Sequence, residues 1–291
     1  MAAPDTAPPA IETQGLVQAF PSGFWLRERA ILHGIDLRVA PGEFLGLVGP
    51  NGSGKSTFLR VLAAIDAPRA GAVRVHGYDI SGAEARRRIG FVPEDSPFPP
   101  ELTARATLDL CGALHRVPKR ERRERAAKWL ERVGLAHAAA SRLSTFSRGM
   151  LRRLGLAAAM LHEPDVLLLD EPTAGLDAQG FDVFLGVLDE ARERGTTVVV
   201  ASHLLTDLQQ RCDRLAVMLD GRLAALAPPL ELIERLGTRA EVDVKLRGAD
   251  ARALSELEHE AAARGAIWRG VEPSQSNLIE LYRVLGGERR P

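Results

Sequence analysis

The sequence predicts an α/β fold with a helix-covered core sheet, antiparallel strands early in the chain, an inserted helical subdomain and a small C-terminal α+β module. Three observations predict it. Residues 166–169 and 197–200 are apolar at every position, as strands are when helices cover both faces of a parallel sheet. A glycine-rich loop joins a strand pattern at 43–48 to a helix pattern at 58–65. Residues 103–162 carry no strand signal and are rich in Ala, Leu and Arg, which marks the inserted helical subdomain.

Taken in order, residues 1–10 are an Ala- and Pro-rich tail without the basic and apolar regions of a signal peptide. A first strand segment ends at Phe20, and strand patterns follow at 35–39, 43–48, 72–75, 166–169, 196–201 and 214–219. The runs at 166–169 and 197–200 are expected to be central strands. Between them, 178–194 reads as a crossover helix that Gly195 ends, where a positive φ is expected. Within the helical subdomain, about 95–162, the stretch 119–133 is amphipathic and charged, the pattern of a solvated helix face. A helical stretch follows Pro229 to about Leu236. The main domain is therefore placed at 11–236, and the segments 240–246, 251–264, 266–271 and 277–285 read β, α, β, α within a module at 237–291.

Composition excludes several classes. The chain has 291 residues, 45% of them hydrophobic, enough for a sizeable core. Its apolar runs have strand length, far short of the roughly 20 residues that cross a bilayer. The 38 basic residues balance 38 acidic ones, leaving no field to gather nucleic acid. Cys111 and Cys212 fit neither a zinc spacing nor a disulfide framework, and a reducing cytoplasm suits them. Lys occurs only at 55, 119, 128 and 245, so Lys55 in the glycine-rich loop calls for a reason.

That loop, Gly49-Pro50-Asn51-Gly52-Ser53-Gly54-Lys55-Ser56-Thr57, satisfies G-x-x-x-x-G-K-[ST] between a strand and a helix. Glycines let successive N–H groups point into one concavity, the helix N-terminus adds positive potential, and Lys55 can reach outer phosphates. Ser56 is placed to bind Mg²⁺ through its hydroxyl. A second constellation is Val166-Leu167-Leu168-Leu169-Asp170-Glu171, two carboxylates at the C-terminal end of a central strand, where α/β sheets place ligands. Asp170 can hold Mg²⁺ or its water, and Glu171 can polarise an attacking water as general base.

These residues resemble the nucleotide-binding subunits of ABC transporters, and three narrower elements strengthen the likeness. Phe146-Ser147-Arg148-Gly149-Met150 is similar to the family's signature in a looser form, Ala174-Gly175-Leu176-Asp177 to its D-loop, and Ser202-His203 to its switch histidine. Ordered matches run from about Gln14 to Gly221. The resemblance implies a P-loop hydrolase core and two such domains facing head to tail, the second being another copy of this chain or a paralogue. Each ATP then lies between one copy's Lys55 loop and the other copy's Ser147 and Gly149, with Asp177 nearby. His203 would contact the γ-phosphate from the same chain as Lys55.

Two positions depart from the family pattern. Ile89-Gly90-Phe91-Val92-Pro93-Glu94 puts Glu94 where a glutamine is usual, so a carboxylate stands near the metal and the γ-phosphate; an exposed loop charge is the alternative. For the aromatic residue that stacks on adenine, Phe20 fits best, with Phe24 and Trp25 competing. The resemblance further implies a membrane-spanning permease as partner and a site on the inner face of the membrane; 93–102, with Phe98 among its prolines, is either the place where that partner docks or a plain connecting loop. The short C-terminal tail resembles that of bacterial drug, lipid and polysaccharide exporter subunits. A permease-bound ATPase for maturation or motility is the runner-up within transport. Outside transport stand a soluble relative acting in translation or DNA repair and a nucleotide-dependent regulator.

Overall fold

The computed structural model describes residues 8–22, 27–202, 211–235 and the single residue 256. The chain divides into two compact units, Met1–Arg239 and Ala240–Pro291. Apart from residue 256, which is helical within the helix expected at 251–264, the expected β, α, β, α segments of the second unit lie outside the described residues, as do Phe24, Trp25 and His203.

Two sheets build the first unit. Strands β1 (Ile11–Ser22), β2 (Arg27–Val39), β4 (Ala70–Val75) and β5 (Tyr78–Asp79) form an antiparallel sheet in the order β2-β1-β4-β5. The second sheet contains β3 (Phe44–Val48), β6 (Ile89–Val92), β7 (Val166–Asp170), β8 (Thr197–Ala201), β9 (Arg214–Leu219) and β10 (Arg222–Ala227), in the order β10-β9-β3-β8-β7-β6. Its pairs are parallel except β9 with β10. Strands β7 and β8 are interior and buried at every position, as their unbroken apolar runs require.

Side chains of one strand alternate between two cores. Leu167 and Leu169 of β7 join a cluster with Leu154, Met160 and Leu188, whereas Val166 and Leu168 join one with Phe58, Leu62 and Val75. The first cluster holds α3 (Ala104–Leu114), α4 (Lys119–Arg132), α5 (Arg148–Met160) and α6 (Ala178–Glu193) against the sheet. The second packs α1 (Lys55–Leu62) and the antiparallel sheet on the opposite face. Short α2 (Ala83–Arg87) and α7 (Pro229–Arg235) complete the α-helices of the first unit among the described residues, and two 3₁₀ turns, Ala136–Ala138 and Leu143–Thr145, lie between α4 and α5. Side chains at Thr103, Ser147 and Asp177 cap α3, α5 and α6 by accepting from backbone N–H groups in the first turn.

Three local expectations need correction. The strand expected at 35–39 is only the last five residues of the thirteen-residue β2. It is an edge strand whose earlier part exposes Glu28, Arg29 and Ala30, so charge on a wet face concealed it. The helix expected from 58 to 65 begins at Lys55 and ends at Leu62, because Gly54 in the left-handed region starts it and Ala64 at φ 55° breaks it. Strand β10 has the unpromising sequence RLAALA. It forms because Asp220 (φ 45°) and Gly221 (φ 71°) make a two-residue hairpin turn to β9.

Candidate functional site

The loop from Gly49 to Gly54 leaves β3 at the C-terminal end of the parallel strands and enters α1 at Lys55. Its shape is forced by close approaches. A Cβ at Gly49 would sit 2.2 Å from the backbone oxygen of Met218 on β9 and 2.8 Å from Ser53 Oγ. The hairpin turn after β9 fastens the loop from behind, since Gly221 N–H donates to the Ser53 carbonyl at 3.0 Å. Lys55 is buried, and its ammonium donates to the carbonyls of Gly49 at 2.7 Å and Pro50 at 3.2 Å, which leaves a third N–H. The Ser53 hydroxyl is buried without a hydrogen-bond partner, a polar atom whose cost calls for an external acceptor. Pro50, Asn51 and Gly52 are exposed at the rim, and Thr57 is half-buried on the first turn of α1.

Strand β7 delivers the carboxylates beside this loop. Ser56 Oγ donates to Asp170 Oδ1 at 3.1 Å, joining α1 to the acidic strand end. Burial pushes the Asp170 carboxyl above its ordinary range; the Ser56 hydrogen bond and Lys55 oppose this, while Glu94 and Glu171 add to it. Glu171 follows in the left-handed region, φ 44°, held by donation of its N–H to the Ala201 carbonyl at 2.9 Å. Such a conformation is strained for a glutamate. Among the described residues no three His, Cys, Asp or Glu side chains converge on a common point. A cation here would draw on one or two carboxylates, the Ser56 hydroxyl and atoms from outside the chain.

Glu94 follows β6 and is exposed. It lines a cavity of about 400 Å³ together with Pro93, Phe98, Arg148, Leu151 and Arg152. Arg152 on α5 donates to the Pro93 carbonyl at 3.0 Å. Its burial lowers the guanidinium pKa, against the pull of Glu94, Asp95, Asp170 and Glu171. Arg152 was not singled out from sequence. Its signal, an arginine one helical turn into α5, is hidden in a chain where nearly all basic charge is arginine.

The signature-like residues lie at the start of α5. Ser147 is exposed, and its Oγ accepts from Met150 N–H at 3.2 Å, so its own proton remains available for donation. A Cβ at Gly149 would meet the Gly175 carbonyl oxygen at 3.3 Å, which places the start of α5 against the loop before α6. Asp177 is exposed with Oδ1 accepting from Gly180 N–H at 2.7 Å, so helix capping already employs that oxygen. Phe20 is 37% exposed near the end of β1, opposite Arg29. Loop, acidic strand end and Glu94 thus stand together at one end of the parallel sheet. The sequence reading missed the structural partners Met218 and Gly221, although the Asp-Gly pair at 220–221 is a recognised hairpin signal.

Burial raises the Cys111 thiol to about 11 and the Cys212 thiol to about 12, so neither is a reactive thiolate. No helix among the described residues is long and apolar enough to cross a membrane.

A phosphate loop that opens a helix at its lysine, set beside a buried strand ending in two carboxylates, defines a P-loop nucleotide hydrolase. Comparison with known proteins narrows this. The family described as ABC transporter matches residues 32–174. The linearmycin resistance ATP-binding protein LnrL of Bacillus subtilis is 35% identical over 223 residues, 76% of this chain and 72% of that protein. The Nod factor export ATP-binding protein I of Paraburkholderia xenovorans is 39% identical over 208 residues, 71% of this chain and 68% of that protein. A dimeric ATP-binding cassette in a post-hydrolysis state, bound to ADP and Pi, superposes with a TM-score of 0.68 at 27% identity, covering 75% of this chain and 98% of that one. The chain belongs to the family of ABC transporter ATP-binding proteins, and it is an ATP hydrolase.

Proposed function

We propose that the chain is the ATPase subunit of an ABC exporter, working as a pair of nucleotide-binding domains attached to the inner face of the membrane through a permease. The observation that carries the catalytic part is the Ser56–Asp170 hydrogen bond, which brings the phosphate loop and the acidic strand end to one point. The similarity to drug-resistance and Nod factor export proteins supports the direction of transport.

In this reading the N–H groups of residues 49–54, the Ser53 hydroxyl, Lys55, Ser56 and Thr57 hold the phosphates of ATP, and Phe20 stacks on the adenine. Lys55 exchanges its two backbone carbonyls for phosphate oxygens, a stronger, charge-assisted partner. Ser147 and Gly149 of a second copy close over the γ-phosphate with the Ser147 proton and N–H groups at the start of α5, and Asp177 borders the same seam. Glu171 takes up the proton of the attacking water, and His203 contacts the γ-phosphate.

The donor set fits Mg²⁺, a hard ion held through one or two carboxylates, a hydroxyl, water and substrate phosphates; Ser56, Asp170 and Glu94 are the residues that would hold it. When bound it neutralises charge on the transferring phosphoryl group. Nothing in the chemistry asks for nucleic acid. The loop 93–102 and the cavity beside it offer the permease a groove with Phe98 as an apolar wall.

The test is to purify the chain with its membrane context and identify by mass spectrometry what accompanies it. A polytopic membrane protein is expected. Ribosomal or DNA-repair partners with no membrane protein would move the assignment to a soluble member of the family.

A further inference from the structure

Four carboxylates at one end of the parallel sheet act on a single arginine of α5, Arg152, without gathering at one point. Glu94 and Asp95 lie on the loop after β6, and Asp170 and Glu171 end β7. Lys55 approaches from the phosphate loop, where backbone carbonyls engage its ammonium. On the helical side the guanidinium of Arg152 is acted on by all four carboxylates, and Arg148 at the start of the same helix lines the same cavity as Glu94 and Asp95. The Arg152 side chain lies on α5, one turn beyond Arg148 at the start of the helix, and donates to the carbonyl of Pro93, the residue before Glu94. It forms no ion pair within 4 Å among the described residues, so its charge is not committed to one carboxylate. Both the loop and the helix line the same cavity.

We propose that Arg152 is a positioning residue for the loop carrying Glu94: it pins residues 93–95 to α5 and supplies the positive charge that allows a carboxylate to occupy this place in the site. This rests on the reading of Glu94 as facing the metal and the γ-phosphate. A glutamine there would need no such counter-charge. With a glutamate, loss of the guanidinium leaves the empty site more negative, which repels ATP⁴⁻ and attracts a divalent cation. Those two effects have opposite signs, and a merely structural arginine would weaken both kinds of binding together.

The experiment measures binding of a fluorescent ATP analogue to the full chain in EDTA, and the Mg²⁺ concentration giving half-maximal binding. Wild type, Arg152→Gln, Arg152→Lys, Glu94→Gln and the double variant Glu94→Gln/Arg152→Gln are compared. Arg152→Gln is expected to loosen metal-free binding about tenfold, about 1.4 kcal/mol, while lowering the half-saturating Mg²⁺. Arg152→Lys, which keeps the charge, should recover most of the affinity. In the Glu94→Gln background the same arginine substitution should cost no more than about threefold. Equal losses in both backgrounds, or a loss of nucleotide and Mg²⁺ binding together, would overturn the proposal. Arg152→Lys as weak as Arg152→Gln would do so too. Failure of the wild-type chain to bind the analogue would instead sink the ATPase reading of the site, and the inference with it.

Discussion

Replacing Gly49 by alanine tests whether the phosphate loop is shaped by its backing. The added Cβ would lie 2.2 Å from the Met218 carbonyl oxygen and 3.2 Å from its carbon. A tolerable carbon–oxygen contact is about 3.3 Å, so roughly 1 Å of separation must be found. Neither side can yield cheaply, because Met218 belongs to β9 and Val48, just before Gly49, is in register with Val217. Overpacking of this kind costs about 1–3 kcal/mol, and the backbone angle of 157° adds strain for an L side chain. We expect a loss of about 2–4 kcal/mol from a domain whose stability is on the order of 5–15, leaving it folded. A loop displaced by about 1 Å should lower ATP hydrolysis on the order of a hundredfold. Urea unfolding and steady-state hydrolysis measure the two effects. Gly52→Ala is the control: nothing lies within 4 Å of its Cβ, although φ is 80°, so only conformational strain is added and the unfolding midpoint should move about half as far. A Gly49→Ala protein with wild-type midpoint and turnover would refute the argument.

Three other perturbations follow from the same geometry. Glu94→Gln should relax the Mg²⁺ requirement of hydrolysis without abolishing activity, and an unchanged requirement would remove Glu94 from the metal's surroundings. Phe20→Ala should weaken nucleotide binding while Trp25→Ala leaves it intact; the reverse pattern would reassign the adenine contact. His162 is held down to about 4 by burial, with its ring stacked on His115 at 3.6 Å between centroids and Nε2 at 3.1 Å from the Ile89 carbonyl. The folded state keeps this imidazole neutral while the unfolded chain protonates it, so its contribution is intact above about pH 6.5 and is lost as pH falls towards 4. The loss is about 2 kcal/mol after allowing for partial exposure, and His162→Gln should flatten the pH dependence of the urea midpoint over that range.

What the residues disclosed in advance depended on how local the physics was. The phosphate loop and the acidic strand end announce themselves because each motif is a contiguous run whose chemistry is complete within about ten residues. The unbroken apolar runs of β7 and β8 likewise follow from burial on both faces. Strand β10 is different: its pairing comes from the Asp220-Gly221 turn and from β9, and Ala and Leu at its positions give no strand preference. The earlier part of β2 was hidden for a related reason, since an edge strand with one wet face carries charge that pattern reading assigns to a loop. Arg152 shows the limit most plainly. Only folding brings α5 and the loop after β6 together, and no spacing along the chain connects residue 152 to residue 94.

The central claim is that ATP joins two copies of this chain and that water activated by Glu171 separates them. Glu171→Gln keeps the side chain's size and removes its ability to accept the proton, so with ATP and Mg²⁺ the variant should accumulate as a dimer. Light scattering on that variant measures this directly: the mass should double from 31.5 kDa when ATP is added and return after the nucleotide is removed. A Glu171→Gln protein that binds ATP yet stays monomeric, or that hydrolyses ATP at the wild-type rate, would contradict the account.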